Sequence, residues 1–174
     1  MATQVISRKA SPSRVHVIPN WTDDYDITPI SHASNPLRKQ WGLEDKFVVG
    51  YSGNLGRAPE FDTVLAAAER LKDEHDIAFL CVGGGRSFDD LSRRIDERSL
   101  QRSFRFFPYQ DRNMLKYSLS VADVHWISLK PQLEGLMVPS KFYGVAAAGR
   151  AIVAVAAKSG EIAQLVEQNG WSRN

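Results

Sequence analysis

The residues with the clearest capacity for chemistry lie in three short segments that combine glycine with a cation. Residues 52–57 read SGNLGR, residues 83–86 read GGGR, and residues 138–154 read VPSKFYGVAAAGRAIVA. Glycine lets a backbone approach a ligand closely, and arginine or lysine supplies charge for phosphate oxygens. Together the three segments predict a site for an anionic ligand.

The last of these segments predicts a helix start with a cation in its first turn. Pro139 fixes φ at a value that a helix can use, and Ser140 can cap the helix through its hydroxyl. Lys141 follows, where free backbone N–H groups and the helix dipole favour an anion. Taken alone, this pattern predicts only the start of a helix.

Glycine turns have two interpretations, and the sequence favours one only when the turns are taken together. A turn between a strand and a helix often contains glycine simply because its backbone angles require it. Two glycine turns with Arg57 and Lys141 at one edge of a sheet supply the donors and the charge that a nucleotide diphosphate needs. We therefore expect Arg57 and Lys141 to bind a diphosphate.

The elements that must hold these turns alternate between strand and helix along the chain. Dense apolar or alternating runs predict strands at residues 46–52, 77–82, 104–107, 124–128 and 151–156. Helical spacing of apolar residues predicts helices at residues 61–71, 87–98, 112–120, 140–148 and 160–167. This alternation predicts the α/β class, as a doubly wound, Rossmann-like parallel sheet. Such a sheet binds ligands beyond the carboxyl ends of its strands, where the glycine turns lie.

The amino-terminal part of the chain predicts a connector. Residues 14–18 alternate like a short strand, and residues 19–21 (PNW) interrupt it before a polar, proline-punctuated stretch. Residues 35–42 predict a short helix that ends at glycine. We therefore assign residues 1–45 to a linker strand and connector, and residues 46–174 to the Rossmann-like domain.

Composition restricts the classes of protein that the chain can represent. Its 174 residues, 43% hydrophobic and 24% charged, suit one compact domain with its own core. A net charge of +2 with interspersed signs gives no indication of nucleic-acid binding. The single cysteine, Cys81, lies in an apolar run, which predicts a buried thiol and a reducing compartment. No apolar run approaches the roughly 18 residues of a membrane span and residues 1–12 lack a signal-peptide core, so a cytoplasmic location is expected.

Several common classes are disfavoured by motifs that the sequence lacks. There is no GxxxxGK[ST] loop, and Val82 is followed by GGG instead of the GxGxxG and acidic residue of a dinucleotide-binding fold. No cluster of histidine, cysteine and carboxylate residues indicates a metal, so we predict none. His125 alternates with apolar neighbours and is interpreted as structural. A non-enzymatic α/β module such as a receiver-like domain is the alternative, but such a domain carries an acidic pocket where this chain carries glycine, arginine and lysine.

Five segments of the chain, taken in order, form a recognisable set: VIPNW at residues 17–21, YSGNLGRAP at 51–59, CVGGG at 81–85, VADVHWISL at 121–129 and EGLMVPSKFYGVAAAGR at 134–150. This set resembles the retaining GT-B glycosyltransferases of family 4, closest to the exopolysaccharide and O-antigen sugar transferases. The resemblance covers almost the whole chain. It implies the C-terminal, donor-binding half of a two-domain enzyme, without the N-terminal acceptor domain of the same polypeptide. Such a half is expected to be catalytically silent on its own.

The resemblance also implies a substrate and a set of donor contacts. The donor is expected to be a nucleotide-sugar, UDP-linked, with no further cofactor. The acceptor is expected to be a lipid-linked glycan, and the complete enzyme is expected to be peripheral at the inner face of the membrane. By similarity the diphosphate lies over Gly53, Asn54, Gly56 and Arg57. The nucleotide pocket is bordered by Gly83, Gly84 and Gly85, the base meets the backbone near Tyr109 and Gln110, and the remaining donor contacts are Gly135, Leu136, Ser140 and Gly144.

Three residues receive catalytic roles from the resemblance: Glu134, Lys141 and Arg57. Glu134 matches the first glutamate of a paired motif that holds the donor sugar, and Lys141 neutralises the leaving diphosphate. The sequence departs from the family pattern at two places. The second glutamate of the pair falls on Gly144, and the usual arginine and lysine ligands after the first strand fall on Asn54 and Pro59. Arg57 and Lys141 would then have to supply the positive charge.

Overall fold

Five parallel strands form one sheet, which is the central layer of the fold. They are β1 (Phe47–Ser52), β2 (Ile77–Val82), β3 (Phe104–Phe107), β4 (Val124–Ser128) and β5 (Ala151–Val155). Their order in the sheet is β3-β2-β1-β4-β5, and all neighbours are parallel. These elements belong to a computed structural model, which describes residues 2–18, 26–134, 136–137, 140–158 and 160–168. The predicted doubly wound, Rossmann-like sheet is confirmed.

Helices connect the strands and cover both faces of the sheet. They are α1 (Ala2–Ser7), α2 (Pro36–Gln40), α3 (Asp62–Arg70), α4 (Phe88–Glu97), α5 (Leu115–Leu119), α6 (Lys141–Ala147) and α7 (Glu161–Gln168). The predicted helix at residues 112–120 is a 3₁₀ turn, Arg112–Met114, followed by α5, and α1 was not predicted. Within the described residues, no helix combines the length and the apolar character that crossing a membrane requires.

Strand β2 shows why this sequence folds as a sheet that is buried on both faces. Phe79 and Cys81 pack on one side, in the cluster that contains the apolar faces of α3 and α4. Leu80 and Val82 pack on the other side, together with α2 and with Tyr117 of α5. Because successive side chains of a strand point to opposite faces, an uninterrupted apolar run is what a two-sided core requires.

The titratable side chains of Cys81 and His125, both in the sheet, are buried in this core. Cys81 is 1% exposed, and burial raises the pKa of its thiol, so the predicted buried cysteine is confirmed. His125 is 2% exposed, and its Nε2 lies 2.9 Å from the Leu119 carbonyl oxygen. Burial lowers the pKa of His125 to about 4. His125 is therefore a neutral, structural residue at pH 7, as the sequence predicts.

The segment before β1 is fastened to the sheet by a buried arginine. Arg38, 3% exposed, donates from Nη1 to the Val121 carbonyl oxygen at 2.8 Å and to Asp123 Oδ2 at 3.3 Å. Its Nη2 donates to the Lys46 carbonyl oxygen at 2.5 Å. Asp123 also accepts the Val48 N–H at 2.7 Å, at the start of β1. The end of the predicted connector thus packs against the amino-terminal ends of β1 and β4.

The predicted strand at residues 14–18 is wrong. Its first residue belongs to the 3₁₀ turn Pro12–Arg14, and the others pair with no described strand. Val17 and Ile18 are 73% and 78% exposed. An alternating pattern yields a strand only where a neighbour supplies hydrogen bonds and a core covers one face, and neither is present here among the described residues. The interruption predicted at residues 19–21 lies outside the described residues.

Candidate functional site

A cavity of about 310 Å³ opens at the carboxyl ends of β1 and β2. The sheet order changes direction beside β1, and doubly wound sheets bind ligands at such a point. The cavity is lined by Ile27, Ser52, Gly53, Val82, Tyr109, Gln110, Leu115, Ser118, Leu119, Ser140, Lys141 and Gly144. Apolar side chains with a few polar groups are the usual lining of a small-molecule site. The sheet edge that the topology predicts as the binding edge therefore carries a cavity.

Lys141 is the one charged side chain among the described residues that line this cavity. Its Nζ lies over the Tyr51 ring, 5.1 Å from the ring centroid, which is a cation–π distance. Burial lowers the pKa of Lys141, and no ion pair joins it to a carboxylate within the described part of the chain. A partly desolvated ammonium group without a counter-ion is an attractive partner for an anion.

Gly53 makes room for the Lys141 side chain. Its φ of +124° lies in a region that side chains other than hydrogen rarely allow, and a Cβ at this position would lie 2.5 Å from Lys141 Cε. The Gly53 N–H donates to the Val82 carbonyl oxygen at 2.8 Å, which extends the β1–β2 pairing by one residue. The glycine after β1 is therefore explained by the lysine that passes over it.

The two glycine turns interlock through their backbones. The Leu55 N–H donates to the Gly84 carbonyl oxygen at 2.9 Å, and the Ser87 N–H donates to the Leu55 carbonyl oxygen at 2.8 Å. A Cβ at Gly83 would lie 2.3 Å from the Gly53 carbonyl oxygen. At Gly83, the structural explanation that the sequence left open is therefore sufficient, because the two turns could not pack with a side chain there.

Tyr51 joins the first glycine turn to the lysine. Its ring is 2% exposed, and its hydroxyl donates to the Asn54 carbonyl oxygen at 2.7 Å. The ring face carries the Lys141 ammonium group, and burial raises the pKa of the phenol. Tyr51 is part of the YSGNLGRAP segment but was not among the predicted site residues. Its contact with Lys141, far along the chain, becomes visible only in the folded structure.

The far wall of the cavity is formed by an aromatic residue, an amide and aliphatic side chains. Tyr109 is 60% exposed, and its hydroxyl donates to the Gly84 carbonyl oxygen at 3.0 Å. Gln110 Nε2 donates to the Pro108 carbonyl oxygen at 2.9 Å. A Cβ at Gly144 would lie 3.5 Å from Leu119 Cδ1 and 3.9 Å from Ile27 Cδ1. Gly144, at the place of the family's second glutamate, therefore faces aliphatic carbon.

The Glu134 side chain, from the loop after β4, lies against the turn that precedes α7. Its Oε1 accepts the Ala157 N–H at 3.0 Å, and a Cβ at Gly160 would lie 2.5 Å from its Oε2. The carboxylate is not part of the described cavity lining. Its predicted contact with the donor sugar stays a prediction.

Ser140 does not cap α6. Its φ of −57° and ψ of −23° are helical, whereas a capping residue is extended, and its side chain makes no capping hydrogen bond. The predicted Ser140 cap is wrong, although α6 begins at Lys141 as the sequence indicates. Pro139, predicted to start the helix, lies outside the described residues.

The structure divides the predicted donor residues into two groups. Those that line the cavity are Gly53, Tyr109, Gln110, Ser140, Lys141 and Gly144. Those outside its lining are Asn54, Gly56, Arg57, Gly83, Gly84, Gly85, Glu134 and Leu136. Arg57 is exposed on the turn after β1, and Gly135 lies outside the described residues.

Sequence reasoning missed half of the lining. The residues it missed are Ile27, Ser52, Val82, Leu115, Ser118 and Leu119. Ser52 and Val82 are the last residues of β1 and β2, so the topology alone could have selected them. Ile27 comes from a segment without periodicity, and no sequence signal marks it.

A doubly wound sheet with a largely apolar cavity and an unpaired cation at its carboxyl edge is typical of an α/β domain that binds a phosphate-bearing nucleotide. Within the described residues, no group of three or more histidine, cysteine or carboxylate side chains is placed to hold a metal ion. The family "Glycosyl transferases group 1" matches residues 34–167. The chain therefore belongs to this family of glycosyltransferases, and the resemblance drawn from its motifs is confirmed.

Two curated relatives have comparable identity. The chain is 31% identical over 169 residues to WcaI of Escherichia coli K12, which is named as a colanic acid biosynthesis glycosyl transferase. It is 29% identical over 165 residues to WbjE of Pseudomonas aeruginosa, which is named as a glycosyltransferase. These alignments cover 96% and 94% of this chain but 41% and 40% of the relatives. The chain thus spans about two fifths of the length of the curated relatives it matches.

Solved structures share the fold at low identity. Anabaena HepE, in complex with UDP and glucose, matches with a TM-score of 0.76 at 20% identity, over 95% of this chain and 44% of HepE. WaaG, a glycosyltransferase involved in lipopolysaccharide biosynthesis, matches with a TM-score of 0.69 at 15% identity, over 92% and 43%. These matches support the GT-B assignment of the fold, of which this chain matches less than half of each structure.

Proposed function

We propose that this chain is the donor-binding domain of a retaining glycosyltransferase that uses a UDP-linked sugar. The observation that carries the proposal is the Lys141 ammonium group, which is partly buried in a largely apolar cavity at the carboxyl edge of the sheet and has no counter-ion among the described residues. A nucleoside diphosphate has the complementary chemistry, because its base and ribose suit an apolar cavity and its phosphates suit a cation. The Anabaena HepE complexes with UDP support the same ligand class.

The complete enzyme would act in surface polysaccharide biosynthesis. WcaI is named for colanic acid biosynthesis and WaaG for lipopolysaccharide biosynthesis, which supports this assignment. We propose a lipid-linked glycan as acceptor, bound by a further domain of the same polypeptide. We also propose a cytoplasmic enzyme that is peripheral at the inner face of the membrane and needs no metal.

Thermal unfolding with added ligands tests the donor site. A ligand that binds only the folded chain stabilises it by RT ln(1 + [L]/Kd), about 2.7 kcal/mol at a hundred times Kd. We expect UDP, in the presence of a chelator, to raise the unfolding temperature with saturation at millimolar or lower concentration. Uridine should raise it less, because it lacks the phosphates that Lys141 would contact.

Two substitutions make the test specific for Lys141. In Lys141→Met, which keeps an unbranched side chain but removes its charge, the effect of UDP should fall to that of uridine. Lys130→Met is the matched control, since Lys130 is exposed and does not line the cavity. A chain that is indifferent to UDP would refute the proposed function. A response to UDP that survives in Lys141→Met would remove the assignment of the diphosphate to Lys141.

A further inference from the structure

Tyr51 contacts both parts of the sheet edge at which the diphosphate is proposed to bind. Its hydroxyl donates to the Asn54 carbonyl oxygen at 2.7 Å, inside the turn after β1. Its ring carries the Lys141 ammonium group at 5.1 Å from the centroid, at the start of α6. One side chain therefore joins the glycine turn to a cation that lies far away in the sequence.

The ring itself has little freedom to move. It is packed against Trp126, with centroids 5.1 Å apart, and its neighbour Phe61 lies edge-on at 6.4 Å. Tyr51 belongs to the core cluster under α3 and α4. The ring therefore fixes the position of the Lys141 cation relative to the rigid core and not relative to a loop.

Lys141 has no other charged or polar anchor in the described part of the chain. On one side its methylene groups press against Gly53, where a Cβ would lie 2.5 Å from Lys141 Cε. On the other side the ammonium group meets the π-face of Tyr51. An aromatic face compensates for part of the lost hydration without neutralising the charge, as a carboxylate would. The cation therefore stays available for an incoming anion.

We propose that Tyr51 is a positioning residue for the diphosphate site, which holds the Lys141 ammonium group through its ring and the 53–57 turn through its hydroxyl. The inference rests on the proposed function. Tyr51 would not touch the nucleotide, since it is outside the described lining of the cavity. Its effect should therefore appear in the recognition of phosphate and not in the recognition of the nucleoside.

The test compares the affinities of UDP and uridine, measured by calorimetry, in variants of the whole chain. Tyr51→Leu removes the ring, and we expect UDP to bind about tenfold more weakly while uridine binds as before. Tyr51→Phe keeps the ring and loses only the hydroxyl, so it should restore most of the UDP affinity. Phe104→Leu is the matched control, because Phe104 lies in the same core cluster and its ring packs against Phe79 and Phe106.

A double-mutant cycle shows whether Tyr51 acts through Lys141. In a Lys141→Met background, Tyr51→Leu should cause no further loss of UDP affinity, because the group that the ring positions is already absent. The proton signals of the Lys141 ε-methylene group give a readout that needs no ligand. They should be shifted upfield by the aromatic ring in the wild type and in Tyr51→Phe, and unshifted in Tyr51→Leu.

The outcomes separate this inference from the function on which it rests. If the wild type does not distinguish UDP from uridine, the proposed function falls and the inference falls with it. If UDP binds through Lys141 but Tyr51→Leu leaves its affinity unchanged, only the inference is overturned. Equal losses of UDP and uridine affinity, or an equal change in Phe104→Leu, would show that Tyr51 merely stabilises the core, and would also overturn it.

Discussion

The Lys141 side chain packs so closely over Gly53 that position 53 has no room for a side chain. In Gly53→Ala, the added Cβ would lie 2.5 Å from Lys141 Cε, and the φ of +124° would itself be strained. We expect the lysine to be displaced from the Tyr51 ring and the affinity for UDP to fall by about tenfold or more. Calorimetry with UDP and uridine measures the effect, and uridine affinity should change little.

Gly56→Ala is the control for this substitution within the same turn. The nearest atom to a Cβ at Gly56 is Asn54 Nδ2 at 3.3 Å, at the end of a side chain that can move. This variant should bind UDP nearly as the wild type does. Equal losses in Gly53→Ala and Gly56→Ala would show that the turn is sensitive to any substitution, and that the contact with Lys141 is not the reason.

His125 should make the stability of the domain depend on pH. Burial lowers its pKa in the folded state to about 4, below the unperturbed value of 6.5, so the folded state favours the neutral ring. The resulting stability is fully present above pH 6.5 and is lost as the pH falls towards 4, where the loss reaches about 3 kcal/mol. Urea unfolding at pH 7 and pH 4 measures it.

Two variants isolate the contribution of His125 from that of the carboxylates, which also titrate in this range. In His125→Gln, stability should fall less steeply as the pH is lowered. Part of the pH dependence should remain, because burial also lowers the pKa of His32. His75→Gln, at an exposed histidine, should behave like the wild type. If the free energy of unfolding fell equally with pH in the wild type and both variants, His125 would not be the source of the dependence. An NMR titration of His125 with a midpoint near 6.5 would contradict the lowered pKa.

At the scale of the elements, the sheet was predictable because its signal is local. Strand β2 is an uninterrupted apolar run, and helices with one apolar face follow each strand, so their order alone implies a parallel sheet with two covered faces. Residues 14–18 carry an equally good alternating pattern and form no strand. A strand also needs a neighbouring strand, and the periodicity of a segment does not indicate whether the fold places one beside it.

The candidate site was predictable only in part, for a related reason. The sequence located its edge of the sheet and its cation, because the carboxyl ends of strands and the start of α6 can be read locally. It attributed the glycines at 83–85 to the ligand, whereas Gly83 is needed where two turns interlock. It missed Tyr51 and Ile27, since each reaches the site through contacts with residues distant in the chain.

The anchoring of α2 shows the same limit of local reasoning. Arg38 occupies a helix that the sequence assigns to a connector, yet its guanidinium group is buried and bonded to the carbonyl groups of Lys46 and Val121 and to Asp123. Burying a charge costs free energy unless it is paired and hydrogen-bonded, and here both Nη atoms have partners whereas the buried Nε has none among the described residues. Helix α2 is therefore held to the sheet by interactions that a periodic sequence pattern does not predict.

At the scale of the whole molecule, the cavity, if it binds the donor as proposed, would account for only the donor half of a transfer reaction. The chain spans about 41% of WcaI and 40% of WbjE, so most of the length of these relatives has no counterpart here. Sugar transfer requires an acceptor hydroxyl held against the donor carbon, and water must be kept away from the departing diphosphate. Within the described residues the cavity lining supplies one cation and no carboxylate that could position an acceptor.

We therefore expect the 174-residue chain to bind UDP-sugar without transferring the sugar to a lipid-linked acceptor. A radiolabelled donor, incubated with acceptor-containing membranes, would report transfer, and a longer version that includes the proposed acceptor domain is the comparison. The longer version should be active, and its Lys141→Met variant should lose activity because the leaving diphosphate is no longer neutralised. Transfer by the 174-residue chain at a comparable rate would show that one Rossmann-like domain suffices, and the division of labour proposed for the two domains would have to be abandoned.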